Sequence, residues 1–348
     1  LSDALVFDVA LRRAGFSLIM AGSLPLRGIT AITGPSGSGK TSLLRILAGL
    51  EPGADGTVRL GTRVMQGQGV FVPPHLRGIG YVFQEPRLFP HLDVAGNLGF
   101  GAARRGVGQA RIDEIVAVLD LSTLLNRDIR GLSGGEARRV ALGRVLASGP
   151  DILFLDEPMT GLDNARKAEI LPHIARASQA FDLPALFVSH VRDEVLTLAD
   201  RVLTLDKGRI LGWAPPPLRL HTKVMARAGE GAVFSLGDQR ITLPVVAQPG
   251  ECWSLALPED GALVSDAAPG TTSALLTLEG RITARDDHQM HLNIAGQTLC
   301  WPCDGATASG FDTIGPGRAV WLTLLRVLAR PESGSKAPTD PGDSQASF

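Results

Sequence analysis

Cysteine is scarce in this chain. Cys252, Cys300 and Cys303 are the only three in 348 residues, an odd and sparse set that excludes a disulfide framework and points to a reducing compartment. No run approaches the ~18 to 20 apolar residues that a membrane-spanning helix needs. The first residues also lack a charged segment followed by an apolar one, the mark of a secretion signal. The expectation is a cytoplasmic protein whose membrane role, if any, runs through a partner. Charge of one sign is missing too: 34 Lys and Arg against 35 Asp and Glu leave a net charge of −1, and no global basic excess points to nucleic acid as a partner. What remains, 44% apolar and 20% charged, is the balance of an ordinary globular protein. Its length exceeds what one hydrophobic core usually supports, so two domains are expected.

The most specific stretch is Gly34, Pro35, Ser36, Gly37, Ser38, Gly39, Lys40 and Thr41, which matches G-x-x-x-x-G-K-[ST] at every fixed position. Residues 28–33 before it are β-rich, and from Ser42 onward apolar residues recur at helical spacing, so strand, loop and helix come in the required order. A triphosphate needs many donors at close range, and small residues let backbone N–H groups wrap around it. Gly34, Gly37 and Gly39 permit positive φ, and the following helix adds its N-terminal partial charge. Lys40 then reaches the β- and γ-phosphates, and the Thr41 hydroxyl is a ligand of Mg²⁺. A nucleoside triphosphate and Mg²⁺ are the expected cofactors.

Further strands end in polar residues, as in α/β sites where ligands lie beyond the carboxyl ends of strands. Residues 78–83 read as a strand ending at Gln84, although a surface turn is the plainer account of that residue alone. Residues 151–157 form an apolar run closed by two carboxylates and Pro158. Asp156 is placed to hold Mg²⁺, and Glu157 to act as the general base that orients the attacking water. Residues 185–190 repeat the pattern, with His190 at the tip able to donate to a γ-phosphate oxygen. Leu132, Ser133, Gly134, Gly135 and Glu136 open a helix. Ser133 and Glu136 have capping-box spacing, and the same N-terminus is a second anion site; both readings stand together.

Between these lie a predicted loop at 99–108, an apolar stripe of Ile112, Ile115, Val116 and Leu119, and a helix at 164–181 disturbed at Pro172. Residues 4–10 and 16–21 read as strands feeding the sheet of the phosphate loop, and 199–210 as a closing hairpin.

Taken together, the phosphate loop, Gln84, the Leu-Ser-Gly-Gly-Glu sequence, Asp156-Glu157, Gly161-Leu162-Asp163 and His190 resemble the ATPase subunit of an ABC transporter over residues 1–213. The resemblance implies a P-loop α/β core with a helical subdomain at about 86–148. It implies a homodimer in which Ser133, Gly134 and Gly135 of one copy face the nucleotide held by Lys40 of the other. It assigns Gln84 to the Mg²⁺ and water site and to signalling towards the permease, Asp163 to the dimer interface and His190 to the switch. The aromatic that stacks on adenine in this family has no counterpart near 11–14, and Phe7 and Phe16 are the candidate substitutes. Residues 85–91 and Asn97 resemble importer ATPases in particular. Glu136, Arg166-Lys167, and residues 169–172, 181–184 and 193–196 resemble the molybdate importer's ATPase. The implied setting is peripheral, on the cytoplasmic face of the inner membrane, with integral permease subunits and, through them, a solute-binding protein.

Trp213, Ala214 and Pro215-Pro216-Pro217 open a linker at 214–222. From 223 to 330 short β-like runs at 232–236, 240–246, 253–257, 275–284, 290–294 and 319–328 suggest a small all-β barrel, with Gly280 marking a bulge. Residues 331–348 have the composition of a disordered tail. The barrel resembles the OB-like oxyanion-binding domain of molybdate importers. Ser273 and Ala274 stand where that family has Ser-Ala followed by arginine and asparagine; here leucines follow, removing two oxyanion donors. Cys300-Trp301-Pro302-Cys303, with His288 and His291, leaves a redox pair, a zinc site or a β-turn with buried thiols open. The function this implies is ATP-driven uptake of molybdate or tungstate. The alternatives are another cargo (sulfate, phosphate, a polyamine or a sugar) or an ABC-type ATP switch that transports nothing.

Overall fold

Alternating burial builds the first sheet. The computed structural model describes residues 4–13, 15–229, 231–258, 262–266, 269, 275–286, 289–302 and 316–332. In β1 (Ala4–Arg13) the side chains of Leu5, Phe7, Val9 and Leu11 are buried on one face. It pairs antiparallel with β2 (Phe16–Pro25). The chain then leaves through β3 (Ile29–Thr33) into α1 (Lys40–Leu47) before returning as β4 (Asp55–Leu60), β5 (Arg63–Gly67) and β6 (Val70–Phe71). The resulting sheet, in the order β2-β1-β4-β5-β6, is separate from the one that carries the phosphate loop, contrary to the expectation for residues 4–10 and 16–21. The physical reason is legible in β1: it buries one face only, whereas a central parallel strand is buried on both.

The second sheet supplies those doubly buried strands. Its members are β3, β7 (Ile79–Val82), β8 (Ile152–Asp156), β9 (Ala185–Val188), β10 (Arg201–Asp206) and β11 (Arg209–Ala214), in the order β11-β10-β3-β9-β8-β7 and parallel except for the closing β10–β11 hairpin. Every residue of β8 and β9 is buried. Alternate side chains serve two cores: Ile152, Phe154 and Ile32 face α1 and the antiparallel sheet, while Leu153, Leu155 and Ala31 face the helical side.

That side holds α2 (Val94–Arg105), α3 (Gln109–Val118), α4 (Gly134–Leu146), α5 (Asn164–Ala180) and α6 (Arg192–Leu198). Most of the loop predicted at 99–108 is therefore the second half of α2. Gly101 reflects close packing, because a Cβ there would lie 2.3 Å from the Arg144 carbonyl oxygen of α4. Helix α5 also runs uninterrupted through Pro172, against expectation. Ile170, Leu171, Ile174 and Ala175 on either side are buried in the core, and tertiary packing outweighs the one lost backbone bond.

A buried guanidinium fastens the far end of α1. Arg77 donates to the carbonyls of Val72, Ile46 and Leu47, and burial lowers its pKa to about 10. The phosphate-loop helix is thus anchored at its C-terminus, where cations are favoured.

The chain divides into two compact units after Pro216. The second unit comprises β12 (Arg219–Ala228), β13 (Gly231–Leu236), β14 (Gln239–Leu243), β15 (Cys252–Ala256), β16 (Ala262–Ser265), β17 (Leu276–Arg285), β18 (Gln289–Ile294), β19 (Gln297–Pro302), β20 (Ala319–Leu324) and β21 (Leu328–Glu332). They form two antiparallel sheets, β14-β13-β12-β15-β21 and β16-β20-β17-β18-β19, around one core that includes Phe234, Trp253 and Trp301. Because β12 starts at Arg219, only residues 215–218 separate it from β11, so the segment expected as a linker at 214–222 is largely strand. The run at 319–328 splits into β20 and β21 on different sheets, and β21 extends into what composition marked as tail. Gly280 carries no bulge; the register shifts between Ile282 and Ala284. Its missing Cβ makes room for Ile294, 2.8 Å from where that atom would lie. Residues 333–348 lie outside the described residues.

At the edge of this unit the His221 Nδ1 atom lies 2.8 Å from both oxygens of Glu332. That hydrogen bond raises the His221 pKa, helped by the Glu332 charge and opposed by burial and by Arg219 and Arg330. A raised folded-state pKa means the pair stabilises fully below the unfolded value of about 6.5, and its contribution is lost as pH rises through the folded value. The full chain should therefore melt higher at about pH 6 than at about pH 8 by an amount worth no more than ~1 kcal/mol, since both side chains are partly exposed. Glu332→Gln should flatten that difference. An unchanged pH dependence in the variant would contradict the pairing.

Candidate nucleotide site

Four neighbouring parallel strands bring the site together. β3 ends at the phosphate loop, β9 at Ser189-His190, β8 at Asp156-Glu157 and β7 near Gln84, all at the carboxyl edge of one sheet. Register places Val188 beside both Ile32 and Asp156, so the three central tips are adjacent.

The loop has the backbone its glycines were read to supply, with φ of 142° at Gly34, 79° at Gly37 and 101° at Gly39. Lys40 is buried and its Nζ donates to the carbonyls of Gly34 and Pro35, each at 2.9 Å. An ammonium has three N–H groups, so one remains for an incoming oxygen. The Ser38 hydroxyl is buried and, among the described residues, has no hydrogen-bond partner. A buried orphan donor in a loop of this shape fits an anionic ligand.

Thr41 Oγ1 donates to Asp156 Oδ1 at 2.7 Å, which sets two hard oxygen donors side by side, as a Mg²⁺ site requires. The second Asp156 oxygen accepts from the Tyr81 hydroxyl at 2.7 Å. Burial and then the Asp156 charge push the Tyr81 pKa far up, so it remains a donor. Sequence reasoning missed Tyr81. Its signal was available: it lies on the strand that ends near Gln84, one strand over from Asp156. Gln84 itself is exposed, and among the described residues no hydrogen bond links it to Thr41, Asp156 or Glu157.

Glu157 sits in the left-handed region at φ 45°, unusual for a residue with a side chain. Its amide donates to Val188 O at 3.1 Å, its Oε2 accepts from the Thr160 hydroxyl at 3.2 Å, and its Oε1 lies 3.4 Å from His190 Nδ1. The residue after Val188 fixes the histidine. Ser189 Oγ donates to Glu194 at 2.7 Å and accepts from the Val191 amide, while Lys167 pairs with the same buried Glu194 at 2.9 Å. Lys167 and Glu194 thus hold the turn that presents His190, although the sequence offered them only as points of resemblance.

At the start of α4, Ser133 is the N-cap. Its hydroxyl accepts from the Glu136 amide, and the Glu136 carboxylate accepts from the Ser133 amide at 2.7 Å, completing the capping box. These bonds hold the Glu136 carboxyl below its usual range. Leu132, Gly134 and Gly135 lie with it at the mouth of the helix. Asp163 is likewise an N-cap, accepting from the Arg166 amide at 2.9 Å.

Of the two aromatics proposed to meet the base, Phe7 is buried in the core and unavailable, because β1 turns it inward. Phe16 is half-buried, with its ring edge 3.4 Å from the position a Cβ on Gly39 would take. In the second unit, Cys300 is exposed rather than buried, since β19 turns Trp301 inward in its place. Its Sγ lies 3.6 Å from His291 Nδ1. Ser273, Ala274, His288 and Cys303 lie outside the described residues. Among the described residues no group of three or more His, Cys, Asp or Glu side chains is placed to hold a metal, and no helix is long and apolar enough to cross a membrane.

Comparison with known proteins places this geometry. The ABC transporter family model matches residues 20–160. The molybdenum import ATP-binding protein ModC of Thiobacillus denitrificans is 38% identical over 330 residues, covering 93% of this chain and 76% of that one. Its counterpart in Rhizobium etli is 40% identical over 352 residues, covering 93% and 98%. Among solved structures, an ATP-binding cassette of an ABC transporter in its ADP conformation aligns with a TM-score of 0.53 at 24% identity, covering 62% of this chain and 91% of that one. A nucleotide-free cassette aligns at 0.52 and 23%, covering 62% and 92%. Both share the fold of the first unit.

Proposed function

The chain belongs to the ABC transporter ATP-binding proteins, with molybdenum import ATP-binding proteins among its relatives, and from that premise we propose that it hydrolyses ATP to energise uptake of molybdate or tungstate through a separate permease. The observation that carries the cargo is that the similarity runs through both units, over 93% of the chain, and not through the ATPase unit alone.

The residues divide the work as follows. Backbone N–H groups from Gly34 to Ser42, the Ser38 hydroxyl and Lys40 bind the phosphates. Thr41 and Asp156 would hold Mg²⁺, with Gln84 as a further ligand by family likeness. The ion would supply positive charge against the negative charge of the triphosphate. Glu157 accepts a proton from the water that attacks the γ-phosphorus as the bond to the β–γ bridging oxygen breaks, and His190 holds a γ-oxygen. Ser133, Gly134 and Gly135 of a second copy cover the nucleotide, which makes the working form a homodimer with Asp163 at its interface. The permease binds at a hollow of about 240 Å³ between α2 and α4, lined by Phe89, Phe100, Gly101, Arg144, Val145 and Ser148. Arg144 donates there to the carbonyls of Pro86 and Arg87, just beyond Gln84, so occupation of the hollow is felt at that residue. In this reading the protein sits peripherally at the inner membrane, held by the permease, with a solute-binding protein on the other side.

Deleting the protein from its source cells should lower cellular molybdenum at trace external molybdate, and excess molybdate should restore it. Unchanged molybdenum would overturn the cargo while leaving ATP hydrolysis in place.

A further inference from the structure

Arg138 takes no part in the machinery described so far, yet it touches both halves of it. It is half-buried on the second turn of α4, and its guanidinium spends three N–H donors on three backbone carbonyls. Nε donates to Pro158 O at 2.6 Å, Nη2 to Thr160 O, and Nη1 to Gly134 O at 3.3 Å. Pro158 and Thr160 belong to the turn that opens with Glu157 in its left-handed conformation and closes with the Thr160 amide on Glu157 O at 3.2 Å. The Thr160 side chain then holds Glu157 Oε2. Gly134 belongs to the segment that, in the dimer, meets the nucleotide of the other copy. The two segments also pack directly, since a Cβ on Gly134 would lie 3.3 Å from Leu162 Cδ2.

We propose that Arg138 is a positioning residue for hydrolysis: one planar fork ties the turn bearing Glu157 to the Ser133–Gly135 segment of the same subunit. The consequence is that engagement of that segment by a second copy and the placement of the base are one mechanical event. A lysine cannot substitute, because a single ammonium on a flexible stem does not span three carbonyls in a fixed plane. Arg138 acts through Thr160 and never touches the reacting atoms. The inference rests on Glu157 as the base.

The test uses the full chain. R138A and R138K should each lower kcat for ATP at least about tenfold with KM within about twofold, the pattern of an interaction that matters in the transition state. In an E157Q background, single-turnover hydrolysis should show no further loss from R138A, because the residue it positions is already gone. T160V, which removes one hydroxyl and no charge, should reproduce part of the kcat loss and so guards against a folding defect in R138A. An unaltered kcat in R138A, a loss confined to KM, or an equal loss with and without Glu157 would overturn the role of Arg138. Parent-rate hydrolysis by E157Q alone would instead overturn the assignment of the base, and the two failures are read from different variants.

Discussion

Glu157→Gln is expected to lower ATP turnover by about 10²–10⁴-fold, the usual worth of a positioned general base, while ATP still binds and still holds two copies together. Glutamine keeps the shape of the side chain and can still accept from the Thr160 hydroxyl, which lies 3.2 Å from Oε2 in the parent. What it loses is the ability to take a proton. The groups proposed to hold the phosphates, Lys40, Ser38 and the loop backbone, are untouched, so affinity should change little. Phosphate release under single turnover, paired with sedimentation in the presence of ATP, separates the two effects. Turnover at the parent rate would remove Glu157 from the mechanism, and loss of ATP-held dimers would make its role structural.

The second large effect is expected at Gly34. An alanine there would need φ near 142° and would place its Cβ 2.1 Å from the Leu205 carbonyl oxygen and 3.0 Å from Ser38 Oγ. The first of these is backbone of β10, a direct neighbour of β3 in the sheet, and cannot move aside. The loop must yield instead, and with it the carbonyl that Lys40 holds. Gly34→Ala should weaken ATP binding at least about tenfold, roughly 1.4 kcal/mol, and destabilise the nucleotide-free chain by about 1–3 kcal/mol from strain. Gly37 is the control. Its φ is 79° but nothing lies within 4 Å of an added Cβ, so Gly37→Ala should carry only the left-handed penalty of roughly 1–2 kcal/mol. Equal melting temperatures for the two variants would show that the close approach of Leu205 does not matter.

The readings that succeeded from sequence rest on chemistry local in the chain. Gly34, Gly37 and Gly39 adopt positive φ because no side chain stands in the way. The Ser133–Glu136 capping box forms because both partners lie within one helical turn. The readings that failed were decided by packing. Residues 99–108 had the composition of a loop but lie mostly in α2, whose contact with α4 needs the missing side chain of Gly101. Pro172 did not interrupt α5, because the residues flanking it are locked into the core. Cys300 is exposed because strand alternation gave the inward position to Trp301.

By itself, then, the sequence determined the glycine-rich loop between β3 and α1, the strand tips that carry Asp156, Glu157 and His190, and the presence of a second, all-β unit. Each of these is a property of consecutive residues, where spacing and chemistry suffice. Only the tertiary structure decided that β1 and β2 belong to a separate sheet, that Phe7 is buried, that Tyr81 holds Asp156 and that Arg138 joins the Gly134 segment to the turn of Glu157. Those pairings link residues 20 to 75 positions apart in the chain. No local periodicity records them, because they arise only when burial forces separate polar groups to find partners in one another.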